Sequence, residues 1–199
     1  MTPLSVEDLD ALYEDAHPRS LTKVQDHLTP AYRAWIAKSR FVVVSTVGPE
    51  GTDGSPRGDK GPVVRIADDR TLLLPDWMGN NRLDTLRNIA RDGRVSLMFM
   101  VPGSTEVVRV NGTAIVTAAP EILESFGHDG RTPRTVVSIR VDEAYFQCAK
   151  SIMRSDLWAS EDRSAGLPTA GDLLREADGE TDAKAFDDGY PEYAKAHMW

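Results

Sequence analysis

The chain has 199 residues and a mass of 21.9 kDa, enough for one domain, or one domain with a tail, around a sizeable apolar core. No run of about 18 apolar residues is present to cross a bilayer as a helix, and the acidic start from Met1 to Asp15 lacks the basic and apolar stretches of a secretory signal. The expectation is a cytoplasmic protein that uses no membrane.

A single cysteine, Cys148, excludes an intrachain disulfide and any multi-cysteine metal cage, and His17, His27, His128 and His197 show no helical ligand spacing, so no metal is expected. The net charge of −8, from 23 Lys and Arg against 31 Asp and Glu, argues against a nucleic-acid partner. That charge is uneven. From Glu161 onward ten acidic residues face four basic ones, so the last segment alone carries −6. Gly54 to Arg94, by contrast, holds eight Arg or Lys against six Asp, with Arg57, Lys60 and Arg82 beside glycine or asparagine. A small anionic ligand is expected there.

In chain order, Ser5 opens a helical pattern through Leu9, Leu12 and Tyr13, with Glu7 and Asp8 in its first turn. A second helix is predicted between Thr22 and Ser39, broken or restarted at Pro30, and the two helices look like a lid. Phe41 to Val47 reads as a buried strand ended by Gly-Pro-Glu-Gly. Further strands are predicted at Pro62–Ile66, Thr71–Leu74, Arg94–Val101, Val107–Val116 and Thr135–Val141. In the fifth of these six, Val108, Val110, Ala114 and Val116 share one face, opposite Arg109, Asn111 and Thr113. One central helix is predicted from Asn80 or Asn81 to Arg91, and another over roughly Glu143 to Leu157. Beyond Trp158 the polar composition predicts a tail that wraps rather than folds alone. Short strands with tight turns and one central helix fit a mainly antiparallel barrel flanked by helices better than a parallel α/β sheet.

Three segments carry chemistry. Gly54 to Asp59 reads as a rigid turn that presents Arg57 between Pro56 and Gly58, suited to bidentate binding of a phosphate or carboxylate; a surface hairpin with one charge explains it as well. Leu74 to Asp84 links a strand to the central helix, where Asn80, Asn81 and free first-turn amides suit an anion beside Arg82; the alternative is a plain helix cap with Asp84 balancing Arg82. On a helix, Lys150, Arg154 and Trp158 share a face, which suits a phosphate and a flat ring, although a solvated face is the commoner explanation. No Gly-x-Ser-x-Gly elbow, Walker loop or dinucleotide fingerprint competes.

Ser55-Pro56-Arg57-Gly58-Asp59, Pro75-Asp76, Gly79-Asn80-Asn81-Arg82-Leu83-Asp84, Arg94-Val95-Ser96-Leu97, Arg109-Val110-Asn111-Gly112 and Cys148-Ala149-Lys150-Ser151 together resemble the pyridoxamine 5′-phosphate oxidase-like FMN-binding split-barrel flavoproteins. The likeness is to a poorly characterised bacterial branch and covers about Ser20 to Trp158. It implies a split antiparallel β-barrel with flanking helices, a homodimer, and FMN in clefts between the protomers. Carried over residue by residue, Arg57 and Gly58 lie at the ribityl phosphate or its edge and Asp76 near the isoalloxazine. Asn80, Asn81 and Arg82 hold the phosphate, and Lys150 and Ser151 add cofactor contacts. Trp77, Arg109 and Trp158 are substrate-side candidates.

The domain expectation is one split-barrel domain over 1–199, with N-terminal helices at 1–39, the barrel and its helices at 40–158 and an acidic tail at 159–199. The expected activity is an FMN-dependent oxidoreductase acting on a small organic molecule in a dimer-interface cleft. A deazaflavin-dependent reductase of the same fold and a non-catalytic flavin- or haem-binding protein are the alternatives. Pyridoxamine phosphate oxidation itself is disfavoured, because the acidic tail does not match that enzyme's C-terminal substrate-phosphate motif.

Overall fold

The computed structural model describes residues 1–197. Seven strands form one antiparallel sheet: β1 (Phe41–Gly48), β2 (Gly51–Gly58), β3 (Arg65–Ile66), β4 (Thr71–Asp76), β5 (Arg94–Met100), β6 (Val107–Thr117) and β7 (Thr135–Gln147). Their order is β2-β1-β5-β6-β7-β4-β3, and among the described residues β2 and β3 do not pair with each other and form the sheet's two edges. The sheet is a split antiparallel barrel.

Alternation builds the core. Val42 and Val44 of β1 lie beside Leu97 and Phe99 of β5, and Val108, Val110, Val137, Ile139, Leu72 and Leu74 continue the same inner surface. The apolar interior is the dominant stabilising term, at roughly 25 cal/mol for each Å² of apolar surface removed from water. Leu28, Ile36 and Ile89 pack against it from outside the sheet.

The helices are α1 (Val6–Leu12), α2 (Pro18–Thr22), α3 (Pro30–Ile36), α4 (Asp84–Arg91), α5 (Pro120–Ser125), α6 (Lys150–Ser155), α7 (Ala170–Asp178) and α8 (Ala183–His197). Ser5 and Asp8 cap α1 reciprocally, as the sequence pattern requires. Between Thr22 and Ser39 the predicted helix is not continuous. Pro30 occupies the first turn of α3, where its missing N–H costs nothing, and Gln25 before it bridges to Ala144 of β7. Ile36 is fully buried with Tyr32 and Trp35 against the core, so α3 is a wall of the barrel and not a lid.

Three further corrections concern the barrel. The turn of the first hairpin lies at residues 49–50, and Gly54 to Gly58 belong to β2, paired with β1 from Phe41↔Gly58 to Gly48↔Gly51. Pro56 is tolerated there because β2 is an edge, whose outer N–H groups need no ladder partner. Of the stretch predicted as a helix over roughly Glu143 to Leu157, only Lys150–Ser155 (α6) is helical; its start is the end of β7, where Ala144, Tyr145 and Phe146 pair with Val110, Arg109 and Val108. Non-local pairing has overridden local helical spacing. Asp142 is the extra, unpaired residue of a bulge in β7 opposite Asn111 and Gly112 of β6; a Cβ on Gly112 would overlap the Arg140 carbonyl oxygen. A helix that the sequence reading lacks, α5, also sits between β6 and β7.

The tail is not a simple wrap. Helices α7 and α8 pack on each other, with Gly171 against Ala183.

Candidate functional site

The open edge of the sheet is where the charged residues meet. Arg57 and Ser55 of β2 stand opposite the buried Val42 and Val44, so their side chains share the inner face. Asp76 of β4 follows Leu72 and Leu74 on that same face. The sheet curls far enough for Arg57 Nη1 to donate to Asp76 Oδ1 at 2.7 Å across the split. The pair is largely shielded, with side-chain exposures of 27% and 16%. Arg57 is therefore part of a regular ladder, contrary to the reading of a presented turn residue, but it is aimed at the split.

Beside this pair lies a cleft of about 180 Å³ lined by Arg57, Gly58, Val63, Leu74, Trp77 and Gly79, among others. Arg57 Nε is buried and has no hydrogen-bond partner among the described residues, and neither has Thr135 Oγ1, whose residue is the ladder partner of Asp76. A buried polar group left unpaired is costly, by about 1–3 kcal/mol, so Arg57 Nε and Thr135 Oγ1 retain unspent hydrogen-bonding capacity.

The loop from Trp77 to Leu83 leads from this cleft to α4. Asn80 Oδ1 accepts from the Arg82 amide at 3.0 Å, closing a local turn. Asn81 adopts the left-handed conformation at φ 59°, which asparagine tolerates, and its Oδ1 accepts from Arg134 Nη1 at 2.8 Å. The Arg134 amide donates to Asp76 O at 3.1 Å. One arginine thus ties the loop to the strand end that carries Asp76. The helix start differs from the prediction: α4 begins at Asp84, and neither Asn80 nor Asn81 caps it, since the cap position falls on Leu83 without a side-chain bond.

Arg82 turns away from Arg57. It lines a second cleft of about 260 Å³ with Thr52, Asp53, Asp84, Arg87 and Asn88, and its Nε donates to Asp84 Oδ2 at 2.5 Å. Hydrogen bonding to Asp84 raises its pKa further above the ordinary arginine value. On the floor of this cleft Asn88 donates to Thr46 Oγ1 at 3.1 Å, both buried, and Thr85 donates to Asp53 Oδ2.

Of the residues nominated from sequence, Arg57, Gly58, Asp76 and Trp77 come together at the split, and Asn80, Asn81 and Arg82 form the adjoining loop. The others lie elsewhere. Arg109 stands on the outer face of the sheet, 3.4 Å from Ser96 Oγ and with its guanidinium 5.4 Å from the Tyr145 ring centre. Lys150 and Ser151 begin α6 as exposed residues. Helix α6 stops at Ser155, with Asp156 left-handed, so Trp158 falls beyond it and shares no helix face with Lys150 and Arg154. Its indole donates to Ser104 O at 2.6 Å, tethering the chain to the turn after β5. Arg134 and Thr135 were missed. The available signal was a polar residue and a cation at the mouth of a predicted strand, just after Pro133.

Solved structures similar to the chain include a variant of HupZ from Group A Streptococcus, at 20% identity over 60% of this chain and 99% of that one, with a TM-score of 0.48. Others are general stress protein 26 from Bacillus anthracis (15% identity, 57% and 88% covered, TM-score 0.44) and an FMN-binding protein from Syntrophomonas wolfei (14% identity, 58% and 88% covered, TM-score 0.44). Likenesses this distant carry no functional argument. No curated protein matches the sequence. The family model described as pyridoxamine 5′-phosphate oxidase matches residues 28–148, more than half of the chain and the whole span from Leu28 in the core to the end of β7. The chain belongs to the pyridoxamine 5′-phosphate oxidase family.

Proposed function

We propose that the protein is a cytoplasmic, FMN-dependent oxidoreductase that works as a homodimer and acts on a small organic molecule in a cleft between protomers. The observation that carries this reading is the half-buried Arg57 guanidinium in the cleft, with Nε unspent, beside walls supplied by Trp77, Val63 and Leu74. FMN combines a dianionic phosphate with a flat ring, and a cation beside apolar and aromatic surface suits both parts. The residues present fit the group.

Arg57 and Gly58 would hold the phosphate or its edge, with Asp76 fixing the guanidinium's orientation. The loop residues Asn80 and Asn81 would close over it, steadied by Arg134, and Arg82, which rests in the adjoining cleft against Asp84, would contribute its charge from the loop's far side. Lys150 and Ser151 are the outlying cofactor contacts, and Trp77, Arg109 and Trp158 are assigned to the substrate side. When bound, FMN supplies the redox chemistry; the chain positions it, tunes it and admits the substrate.

Two observations favour a dimer. The cleft of about 180 Å³ is smaller than the roughly 300–1,000 Å³ of a typical ligand site, so one chain encloses only part of a flavin. The outer sheet face also carries Phe41 and Met98 exposed, with Pro56, Val43, Met98, Arg109 and Tyr145 in one cross-strand row.

The test is to purify the protein, record its visible spectrum, identify the extracted cofactor and measure its mass in solution. A yellow dimer releasing FMN, reducible by NAD(P)H or light and reoxidised by an acceptor, is expected. A colourless protein that takes up only a deazaflavin overturns the cofactor, and a bound flavin inert to every donor and acceptor overturns the enzyme.

A further inference from the structure

The C-terminal hairpin is a folded element without a core. In α7 and α8 the buried residues are Gly171 and Ala183, which meet at the helix crossing, while Leu173, Leu174, Tyr190 and Tyr193 are exposed. Helices of nine and fifteen residues are marginal alone, and two that bury no large side chain gain little from each other. On α8, Phe186, Tyr190, Tyr193 and His197 form one continuous ladder, with successive ring centres 5.8, 6.4 and 4.1 Å apart. Around it the charge is negative: residues 170–197 hold eight Asp or Glu against three Lys or Arg. The surface that completes this hairpin has to be basic and accept aromatic rings.

The barrel carries such a surface beside the cleft. From His27 to Pro49 the chain has no carboxylate, and Arg33, Lys38 and Arg40 are exposed there without an ion pair among the described residues. The Asp59 amide donates to Arg40 O and the Val63 amide to Ser39 O, both at 3.0 Å, so this basic rim borders the lining of the cleft itself. The arm that leads to the hairpin is rooted at the same end. Trp158 is tied to Ser104, four residues past the strand end Met100, whose carbonyl accepts from Ser39 Oγ at 2.8 Å. Although rooted so near, the hairpin leaves its own rim uncovered.

We propose that the hairpin of one protomer docks through Tyr190 and Tyr193 onto the Arg33, Lys38 and Arg40 rim of a second copy, closing that copy's cleft. This rests on the dimeric reading above and extends it, because each site then contains residues of both chains. Opposite charge selects the partner surface, and the rings supply the apolar burial that the hairpin lacks.

The experiment uses the full chain with a benzoylphenylalanine photo-crosslinker in place of Tyr193, mixed with wild type carrying a different tag, with cross-links mapped by mass spectrometry. Cross-links joining the two tags and mapping to residues 33–60 are expected, and Lys38→Glu with Arg40→Glu in the acceptor chain should reduce their yield about tenfold. Cross-links confined within one chain, or between chains but elsewhere than 33–60, overturn the proposal, as does a dimer that gives none. Retained FMN is measured on the same samples. A yellow dimer without the cross-link removes the docking and leaves the flavin reading intact, whereas a flavin-free dimer with the cross-link removes the flavin reading alone.

Discussion

Arg57 and Asp76 sit on strands separated by five ladders in the sheet, yet their side chains meet at 2.7 Å, because the sheet curls until its first edge faces its far end. The contact holds the split at the point where the cleft opens. It also orients the guanidinium, whose Nε is buried and has no hydrogen-bond partner among the described residues.

Removing either partner breaks this ion pair and should lower stability, but only the loss of Arg57 also removes the cation offered to the cofactor. Arg57→Ala is expected to weaken FMN binding by about 1.5–3 kcal/mol, the scale of a charge-assisted hydrogen bond, measured by titrating apoprotein and following flavin fluorescence. Asp76→Ala should lower stability as Arg57→Ala does, by about 1–2 kcal/mol in urea unfolding after discounting for partial exposure, with a smaller effect on FMN affinity. Equal effects of the two variants on FMN affinity would sink this division of roles.

Arg82 is nominated alongside Arg57 but is placed differently, exposed and already paired with Asp84. Arg82→Ala should weaken FMN binding by about threefold to tenfold, less than Arg57→Ala, with an unchanged unfolding midpoint. The same titration checks the order; a larger loss at Arg82 would put the phosphate in the second cleft.

Opposite the β7 bulge, Gly112 leaves no space for a side chain against the Arg140 carbonyl. Gly112→Ala has to push β6 and β7 apart in the middle of their pairing, at a cost of about 1–3 kcal/mol or more. A lowered midpoint in thermal unfolding is expected, and a midpoint matching wild type would mean the bulge relaxes freely.

Asp26 links the segment before α3 to the β3–β4 turn. Hydrogen bonds from His27 and then from Arg70 lower its pKa from 3.8 to about 2. The folded value lies below the unfolded one, so this contribution is complete above pH 3.8 and is lost as the pH falls through about 2. Urea unfolding followed across that window should show wild type losing stability more steeply than Asp26→Asn. Parallel curves for the two proteins would exclude the linkage.

Much of the barrel was legible in the chain because its strands carry their own signal. Phe41 to Val47 and Arg94 to Val101 are rich in β-branched and apolar residues, and Val107 to Val116 alternates, so each declares both its conformation and its buried face. The second half of β7 carried no such signal. Glu143 to Gln147 has helical spacing, and only pairing with β6, some 35 residues away in sequence, made it a strand. The loop that joins β4 to α4 was recognisable from its asparagines and glycine, yet its stiffness comes from Arg134, more than fifty residues on.

By itself, then, the sequence determined a mainly antiparallel β chain, an acidic tail, and a set of arginines, glycines and asparagines suited to an anion. The direction in which those residues point was decided by the tertiary structure. Arg57 reads locally as a turn residue; register against β1 turns it inward, and the curl of the sheet brings it to Asp76. Arg82, close to Asp76 in sequence, is sent into a different cleft by the turn at Asn80 and the late start of α4. Residue type and spacing fix what a side chain can bind, but the face it occupies follows from pairing partners distant in the chain, and a shift of one residue in register would reverse it.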